Sequence, residues 1–158
     1  MKSRQQGLAT VEFAIVAAAF FTVLFGVIEV ARALFVWNTV AEATRRGARV
    51  AAVCPLDHSA IREVAVFNEA GGGTQSPVLN GLTTDNVVVE YLDEDGNVTA
   101  DFPNIRYVRV AISDYQHQMV IPFAPVTINV PPFATTVPVE SLGYNPDTGD
   151  RECYGTST

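Results

Sequence analysis

The sequence predicts an α+β protein in which one long N-terminal helix packs on a small antiparallel β-sheet. Pro55 is the first proline of the chain, and the segment before it is rich in alanine, which favours a continuous helix. After Pro55, runs of β-branched and aromatic residues alternate with turn-forming residues, a pattern typical of short strands. The first half of the predicted helix is apolar on all sides and the second half is amphipathic, so only the second half offers a face for a core.

The first half of the helix has the length and composition of a membrane span. Residues 8–29 form an apolar run that is interrupted by Glu12 and closed by Glu29. About 20 such residues cross a bilayer as a helix. Because Lys2 and Arg4 precede the run, the N-terminus is expected in the cytoplasm and the rest of the chain outside.

Two other interpretations of the same run remain open. One is an unprocessed single-pass anchor for a small outer binding domain. The other is a secretory signal peptide, since Ala31-Arg32-Ala33 resembles a small-x-small cleavage site. The length of the apolar run and the charges of Glu29 and Arg32 beside that site favour a retained helix over cleavage there. We expect Glu29 and Arg32 to form a local ion pair worth little energy.

The second half of the helix, residues 30–54, is predicted to pack against the protein's own head. Its polar stripe recurs at spacings of four, three and four and consists of Asn38, Glu42, Arg45 and Arg49. Its apolar face consists of Val36, Val40, Ala43, Gly47, Val50 and Cys54. Glu42 is placed to pair with Arg45 or Arg46. Because Pro55 disfavours helical geometry in the preceding residue, the helix should end near Val53, after about 69 Å at 1.5 Å per residue.

A row of small residues at spacings of four runs along the apolar half of the helix: Ala14, Ala18, Thr22 and Gly26. This small-xxx-small arrangement lets two helices approach closely in lipid, and it predicts helix–helix packing along the row. The alternative is that alanine is merely common in this segment.

Glu12 stands out because a carboxylate in hydrocarbon costs several kcal/mol and is expected to have a partner or a function. One interpretation is that Glu12 lies near the cytoplasmic interface and reaches headgroup water. The surrounding pattern suggests another: Gly7, four residues, then Glu12-Phe13 and a long apolar helix. This pattern resembles the processing site of type IV pilins of the Flp/Tad class. Residues 7–52 as a whole, with Val-Glu-Phe, Glu29 and the "VAEATRRGAR" continuation, resemble the TadE-like minor pilins or pseudopilins.

The resemblance implies a pilin-like fold and a set of site residues. A prepilin peptidase would cut between Gly7 and Leu8, and Glu12 with Phe13 would dock on another subunit, where Glu12 pairs with the new α-amine of a neighbour's Leu8. A buried acid and amine are far less costly together than alone. The implied organisation is a leader at 1–7, a transmembrane segment at 8–29, an amphipathic half at 30–54 and an extracytoplasmic α+β head at 55–158.

The implied function is pilus assembly, surface adhesion or biofilm formation in a Tad pilus, as a TadE-type or TadF-type subunit of the bacterial inner membrane. The implied partners are the prepilin peptidase, other Tad pilins, assembly-platform proteins and inner-membrane lipid. No cofactor is implied.

The head is predicted to contain one short helix and a few strands. Asp57 or Ser59 would cap the helix, and Gly71 to Gly73 would stop it. "DEDGN" at 93–97 would be a turn, and the proline-rich segment from Phe123 would be irregular or an edge. The predicted strands are "NVVVEYL" at 86–92, "IRYVRVAIS" at 105–113, "HQMVIP" at 117–122 and a last strand at 134–140.

The two cysteines, Cys54 and Cys153, are expected to form a disulfide, because an even count outside the cytoplasm favours oxidation. The bond would tie the C-terminal tail to the end of the long helix. Two unrelated thiols, or a zinc site that also uses His58, are the alternatives, although zinc lacks a fourth ligand at an obvious spacing.

Composition and motifs argue against other classes of function. The net charge of -7 disfavours nucleic-acid binding, which needs clustered cations. The sequence lacks a phosphate-binding glycine loop, an HExxH motif and a nucleophile elbow, so we do not expect an enzyme. Asp93, Asp95 and Asn97 fit a hairpin turn better than a calcium site, and His58 and His117 are expected to be surface or capping residues.

Overall fold

The computed structural model describes residues 4–120 and 126–153. Its first element is a helix of 50 residues, α1 (Arg4–Val53), which passes without interruption through the predicted boundary at Glu29. Within the described residues it is the one helix that is long and apolar enough to cross a membrane, and its most apolar window has a mean hydropathy of 2.4 with none of that window buried inside the protein.

The head that follows α1 is an α+β unit, as the sequence predicts. One short helix comes first, and the strands form a three-stranded antiparallel sheet in the order β1-β2-β5 and a separate antiparallel pair, β3-β4. The elements are α2 (Ser59–Ala65), β1 (Val87–Leu92), β2 (Tyr107–Ile112), β3 (Gln116–Gln118), β4 (Thr127–Asn129) and β5 (Phe133–Pro138), with 3-10 turns at Thr84–Asn86 and Phe102–Asn104.

The core lies between the second half of α1 and the three-stranded sheet. The buried side chains of α1 are small, so the helix axis can approach the sheet closely. Gly47 marks the closest approach, because a Cβ atom built there would lie 2.9 Å from the Cβ of Ala65 and 3.0 Å from Cγ1 of Val110. The buried core residues of α1 and the central strand include Val36, Val40, Ala43, Ala48, Ala51, Val108, Val110 and Ile112.

Strand β5 runs along α1 in the same direction as the helix. Near the middle, the hydroxyl groups of Thr44 and Thr135 are 2.7 Å apart and share a hydrogen bond. Just beyond the end of β5, the backbone N–H of Glu140 donates to the carbonyl of Ala52 at 3.0 Å. The disulfide between Cys54 and Cys153, with a Cα–Cα distance of 4.4 Å, then joins the tail to the end of α1.

The predicted ends of the short helix are wrong. His58, not Asp57 or Ser59, is the N-cap of α2, because its Nδ1 accepts a hydrogen bond from the backbone N–H of Ala60 at 3.2 Å. Asp57 instead has a positive φ of 56°. The helix also ends at Ala65, well before Gly71 to Gly73, since the chain turns into a left-handed conformation at Phe67.

The four predicted strands correspond in position to β1, β2, β3 and β5 but differ from them in length, and a fifth strand, β4, lies in the proline-rich segment that was predicted to be irregular or an edge. The segment predicted as a strand at 117–122 is strand only up to Gln118, and it pairs with β4 rather than with the main sheet. Residues 121–122 of that segment lie outside the described residues. The last strand is Phe133–Pro138, one residue earlier at its start than predicted, and it forms the edge of the three-stranded sheet.

The turn at 93–97 is held by the carboxylate of Asp93. Its Oδ1 accepts hydrogen bonds from the backbone N–H groups of Asn97 at 2.8 Å and Asp95 at 3.0 Å. The N–H of Asn97 is the main reason that the pKa of Asp93 lies below its ordinary value. Gly96 has a φ of 82°, which a residue with a side chain would adopt only under strain.

Replacement of Gly47 by alanine tests the close approach of α1 to the core. The added methyl group must displace Ala65 or Val110, and overpacking of this kind costs about 1–3 kcal/mol, whereas the gain in helix propensity is only about 1 kcal/mol. We expect Gly47→Ala to lower the free energy of unfolding of the head, measured with urea in detergent micelles. Gly26→Ala is the control, since a Cβ there has nothing within 4 Å. A Gly47→Ala variant as stable as wild type would contradict the packing.

Reduction of the disulfide should destabilise the head strongly. The bond closes a sequence separation of 99 residues, and the chain-entropy estimate for a loop of about 100 residues is roughly 4.7 kcal/mol. We expect the urea midpoint of the full chain in detergent to fall on addition of reductant. The Cys54→Ala/Cys153→Ala variant should show the lower midpoint already and should not respond to reductant. Equal midpoints with and without reductant in wild type would refute the contribution.

Candidate functional site

The predicted processing and docking residues lie on the exposed first half of α1. Gly7 has no atom within 4 Å of the position of a Cβ, so nothing in the described chain covers it. Leu8 and Phe13 are each 73% exposed, and Glu12 is exposed between them. Among the described side chains, those of residues 7–120 and 126–153, none forms an ion pair or hydrogen bond with Glu12. The structure therefore leaves this segment open to the membrane or to other chains.

The row of small residues is also open on the surface of α1. The hydroxyl of Thr22 donates to the carbonyl of Ala18 at 2.8 Å, so its polar hydrogen is satisfied within the helix itself. Gly26 has open space around the position of a Cβ. The row thus presents a surface of small side chains with no unsatisfied hydrogen-bond donor, which suits close packing of a second helix. Its members are Ala14, Ala18, Thr22 and Gly26. No second helix lies on it in the described chain, so the packing remains a prediction.

A partly buried cluster of polar side chains marks the point where α1 passes from the exposed half to the head. Arg32 Nη1 donates to both carboxylate oxygens of Glu29, at 2.8 and 3.1 Å, which confirms the predicted local pair. Glu29 is buried, however, because the head covers it with His117, whose Nε2 lies 3.5 Å from Glu29 Oε1. We call these three residues, Glu29, Arg32 and His117, the junction cluster.

The expectation that His117 is a surface or capping residue is wrong. His117 is 7% exposed and occupies the middle of β3, where its two neighbours point outward. The alternation Gln116-His117-Gln118 is the sequence signal for this, since the middle residue of such a strand faces the opposite way from its neighbours. His58, by contrast, is a capping residue as expected.

A cavity of about 620 Å³ opens beside the junction cluster. It lies between α1, the loop around Leu79 and the β3-β4 pair. Tyr115 at its edge donates its hydroxyl to the carbonyl of Asn80 at 3.1 Å, and burial raises the pKa of that phenol. The polar residues of the lining are Arg32, Asn80, Tyr115, Gln116, His117, Gln118 and Thr127, and the apolar ones include Phe35, Val36 and Val120.

The amphipathic half of α1 is built as predicted. Its apolar face is in the core, and Arg45 pairs with Glu42 at 3.7 Å on the exposed side. Arg46 instead stacks over the ring of Phe67, with its guanidinium carbon 4.9 Å from the ring centroid. These contacts keep charges on the outer side of the helix while the small residues face the sheet.

The structure argues against the metal alternatives for the described residues. Both cysteines are consumed by the disulfide, and His58 is engaged as a helix cap, so the candidate zinc ligands are not available together. In residues 4–120 and 126–153, no group of three His, Cys, Asp or Glu side chains is placed to hold a metal ion.

Comparison with known families supports the resemblance in the N-terminal part. A family model described as "TadE-like protein" matches residues 7–49. The match begins at the predicted cleavage glycine, includes Glu12 and Glu29, and ends within the amphipathic half of α1. The segment is therefore TadE-like, which indicates a Tad pilus-associated protein, and the head lies outside the match. No curated protein and no solved structure matches the chain.

Removal of the Glu29 carboxylate should loosen the junction. Glu29→Ala takes away the buried carboxylate that accepts from Arg32 of α1 and lies 3.5 Å from His117 Nε2 of β3, so the contact between the helix and β3 loses this group and the space that it fills. We expect faster amide hydrogen exchange in β3 and β4 of the full chain in detergent micelles. Glu42→Ala is the matched control, since it removes an exposed i,i+3 pair worth about 0.3–0.5 kcal/mol. Unchanged exchange in β3 and β4 of Glu29→Ala would show that the cluster does not hold the head.

Proposed function

We propose that this protein is a minor pilin or pseudopilin of a Tad pilus, cleaved after Gly7 by a prepilin peptidase and inserted into the pilus or its assembly base. The observation that carries the proposal is the TadE-like match from residue 7 onward, on a helix whose apolar first half has no partner in the described chain. TadE-like pilus proteins are structural, and the protein is accordingly proposed to act by assembly rather than catalysis.

Cleavage would turn the start of α1 into a binding site for another subunit. Cleavage after Gly7 leaves Leu8 with a free α-amine, four residues before Glu12 on the same helix. Within one chain, the amine at the start of the helix backbone and the side-chain carboxylate of Glu12 are proposed to point along different lines, so that they do not pair well with each other. A neighbouring chain shifted along the helix axis brings its amine beside Glu12, and the pair neutralises two charges that are each costly in lipid.

The exposed residues around Glu12 fit this docking. Phe13 and Leu8 offer large apolar surfaces beside the carboxylate, and the small residues from Ala14 onward allow a second helix to approach. The head is proposed to stay outside the cytoplasmic membrane, where its disulfide is stable. An adhesive or biofilm role would then belong to the surface of the head. In the alternative, the chain stays uncleaved as a single-pass envelope protein, and Glu12 has only headgroup water as its partner.

Substitutions at Gly7 test the processing step. Gly7→Ala should preserve cleavage or slow it, because the side chain stays small, whereas Gly7→Glu should abolish it. The measurement is gel mobility of the chain produced together with a prepilin peptidase, compared with the same chain produced without one. Mobility of Gly7→Glu equal to that of the cleaved wild type would contradict cleavage at this position.

Replacement of Glu12 tests docking separately from processing. Glu12→Ala should still be cleaved, but we expect several-fold less of it in sheared filaments or in cross-linked complexes with other pilins, because the α-amine of the neighbour loses its acid. Glu42→Ala, which removes an exposed carboxylate nearer the C-terminal end of the same helix, should be incorporated normally. Equal incorporation of Glu12→Ala and wild type would argue against the docking role.

A further inference from the structure

An uncharged, apolar surface lies at the end of the head nearest the predicted span. Val120 is 70% exposed, and three further aliphatic residues around it are also exposed to solvent. We call Val78, Val120, Val126 and Ile128 the membrane-proximal patch. Val78 and Val120 both line the cavity beside α1, together with Arg32 and Phe35 of the helix, so the patch adjoins α1 just beyond Glu29.

The direction of the strands places this patch at the lower end of the head. Strand β5 runs parallel to α1, with Thr135 beside Thr44 and Glu140 beside Ala52. From Thr135 toward lower residue numbers, the chain therefore runs toward the N-terminal half of α1 and leads to β4. Its partner β3 also lies toward that half, because His117 lies beside Glu29.

The opposite end of the head lies beside the C-terminal end of α1, away from the predicted span. Tyr91, next to the end of β1, accepts a hydrogen bond from the backbone N–H of Asp57 at 3.1 Å, just past the C-terminal end of α1. Val98 pairs with Leu92 in an isolated bridge at the same end. Val98 is 64% exposed, so the head has an exposed valine at each end, one near the span and one away from it.

The distribution of charge distinguishes the two ends. From Asp57 onward the chain has 14 acidic residues against four arginines, yet none of its Asp, Glu, Lys or Arg residues lies between Asp114 and Glu140. β3 and β4, which run toward the predicted span, therefore carry no Asp, Glu, Lys or Arg side chain whose desolvation at a lipid surface would cost free energy. Two charges of α1 lie beside these strands: Glu29, which is buried against His117, and Arg32, whose side chain is 43% exposed and whose positive sign suits lipid phosphates.

Distances along the helix match the thickness of a headgroup layer. At 1.5 Å per residue, Arg32 lies about 5 Å beyond Glu29 along the helix axis. A bilayer has roughly 30 Å of hydrocarbon within 40–45 Å overall, which leaves about 5–7 Å of headgroup on each side. Phe35 and Trp37 of α1 are exposed about 9 and 12 Å beyond Glu29, on the water side of that layer.

We propose that the membrane-proximal patch is a second lipid contact: it lies in the outer headgroup layer beside α1 and fixes the head against the bilayer surface. The partner is the phospholipid surface, with valine side chains among the headgroups and the Arg32 guanidinium near phosphate. The inference requires that α1 spans the membrane, but it does not depend on cleavage at Gly7 or on docking through Glu12.

Fluorescent labels on single engineered cysteines test the contact in the full chain. Because the two native cysteines are bonded to each other, a cysteine at position 120, 98 or 16 is the accessible thiol for an environment-sensitive dye. The Val120→Cys, Val98→Cys and Val16→Cys variants are each reconstituted in phosphatidylglycerol/phosphatidylethanolamine vesicles, with and without lipids that carry a quencher near the headgroup. Val98→Cys is the matched control, and Val16→Cys reports insertion of the span.

We expect the label at position 120 to show blue-shifted emission and at least twofold stronger quenching by the headgroup-level quencher than the label at position 98. Water-like emission at position 120, with the label at position 16 in the bilayer, would overturn the patch while leaving the span intact. A blue shift at position 120 that depends on protein density and is insensitive to lipid quenchers would show that a second protein covers the patch, which also overturns the proposal.

Discussion

The structure depends on one helix that has to satisfy two different environments. The first half of α1 exposes large apolar side chains on all sides, whereas the second half exposes charges on one side and buries small residues on the other. No break separates the halves, so the position of the head relative to the span is fixed by backbone hydrogen bonds rather than by a linker. Any rotation or lift of the first half is transmitted to the head directly.

The junction cluster lies where these environments meet. An acid at the end of an apolar span is costly unless it is paired, and Glu29 obtains one partner from its own helix and another from the head. The arrangement gives the head a polar anchoring point at its lower end, and the disulfide between Cys54 and Cys153 gives it a covalent one at its upper end. Between them, the small side chains around Gly47 let the sheet lie close to the helix, so the head is attached along most of the outer half of α1.

The sequence predicts those features that depend on residues close together in the chain, and it misses those that depend on contacts between distant segments. The long helix, its amphipathic half, the first two strands and the turn at 93–97 depend on neighbours in sequence, and they were predictable from periodicity and turn residues. The burial of His117 and Glu29 was not, because it arises from two segments far apart in the chain that meet only in the fold. The cap of α2 was missed for a related reason: a positive φ at Asp57 removes it from the capping position, and residue preferences alone rank aspartate above histidine there.

Among the candidate site residues, sequence reasoning identified those that face outward, since Gly7, Glu12 and the small-residue row are exposed on α1. It placed the cysteine pair correctly because the chain has two cysteines and an expected oxidising environment. The membrane-proximal patch escaped it, because its residues come from separate loops and strands whose common level is visible only once β5 is aligned with α1.

The central claim is that the working form of the protein begins at Leu8 and offers that residue's amine to a neighbour's carboxylate. The most direct measurement is the intact mass and N-terminal sequence of the protein purified from cells that contain a prepilin peptidase. We expect a chain that starts at Leu8. A chain that still starts at Met1, or one that starts near Leu34, would contradict it, because neither would bring a free amine to the level of Glu12.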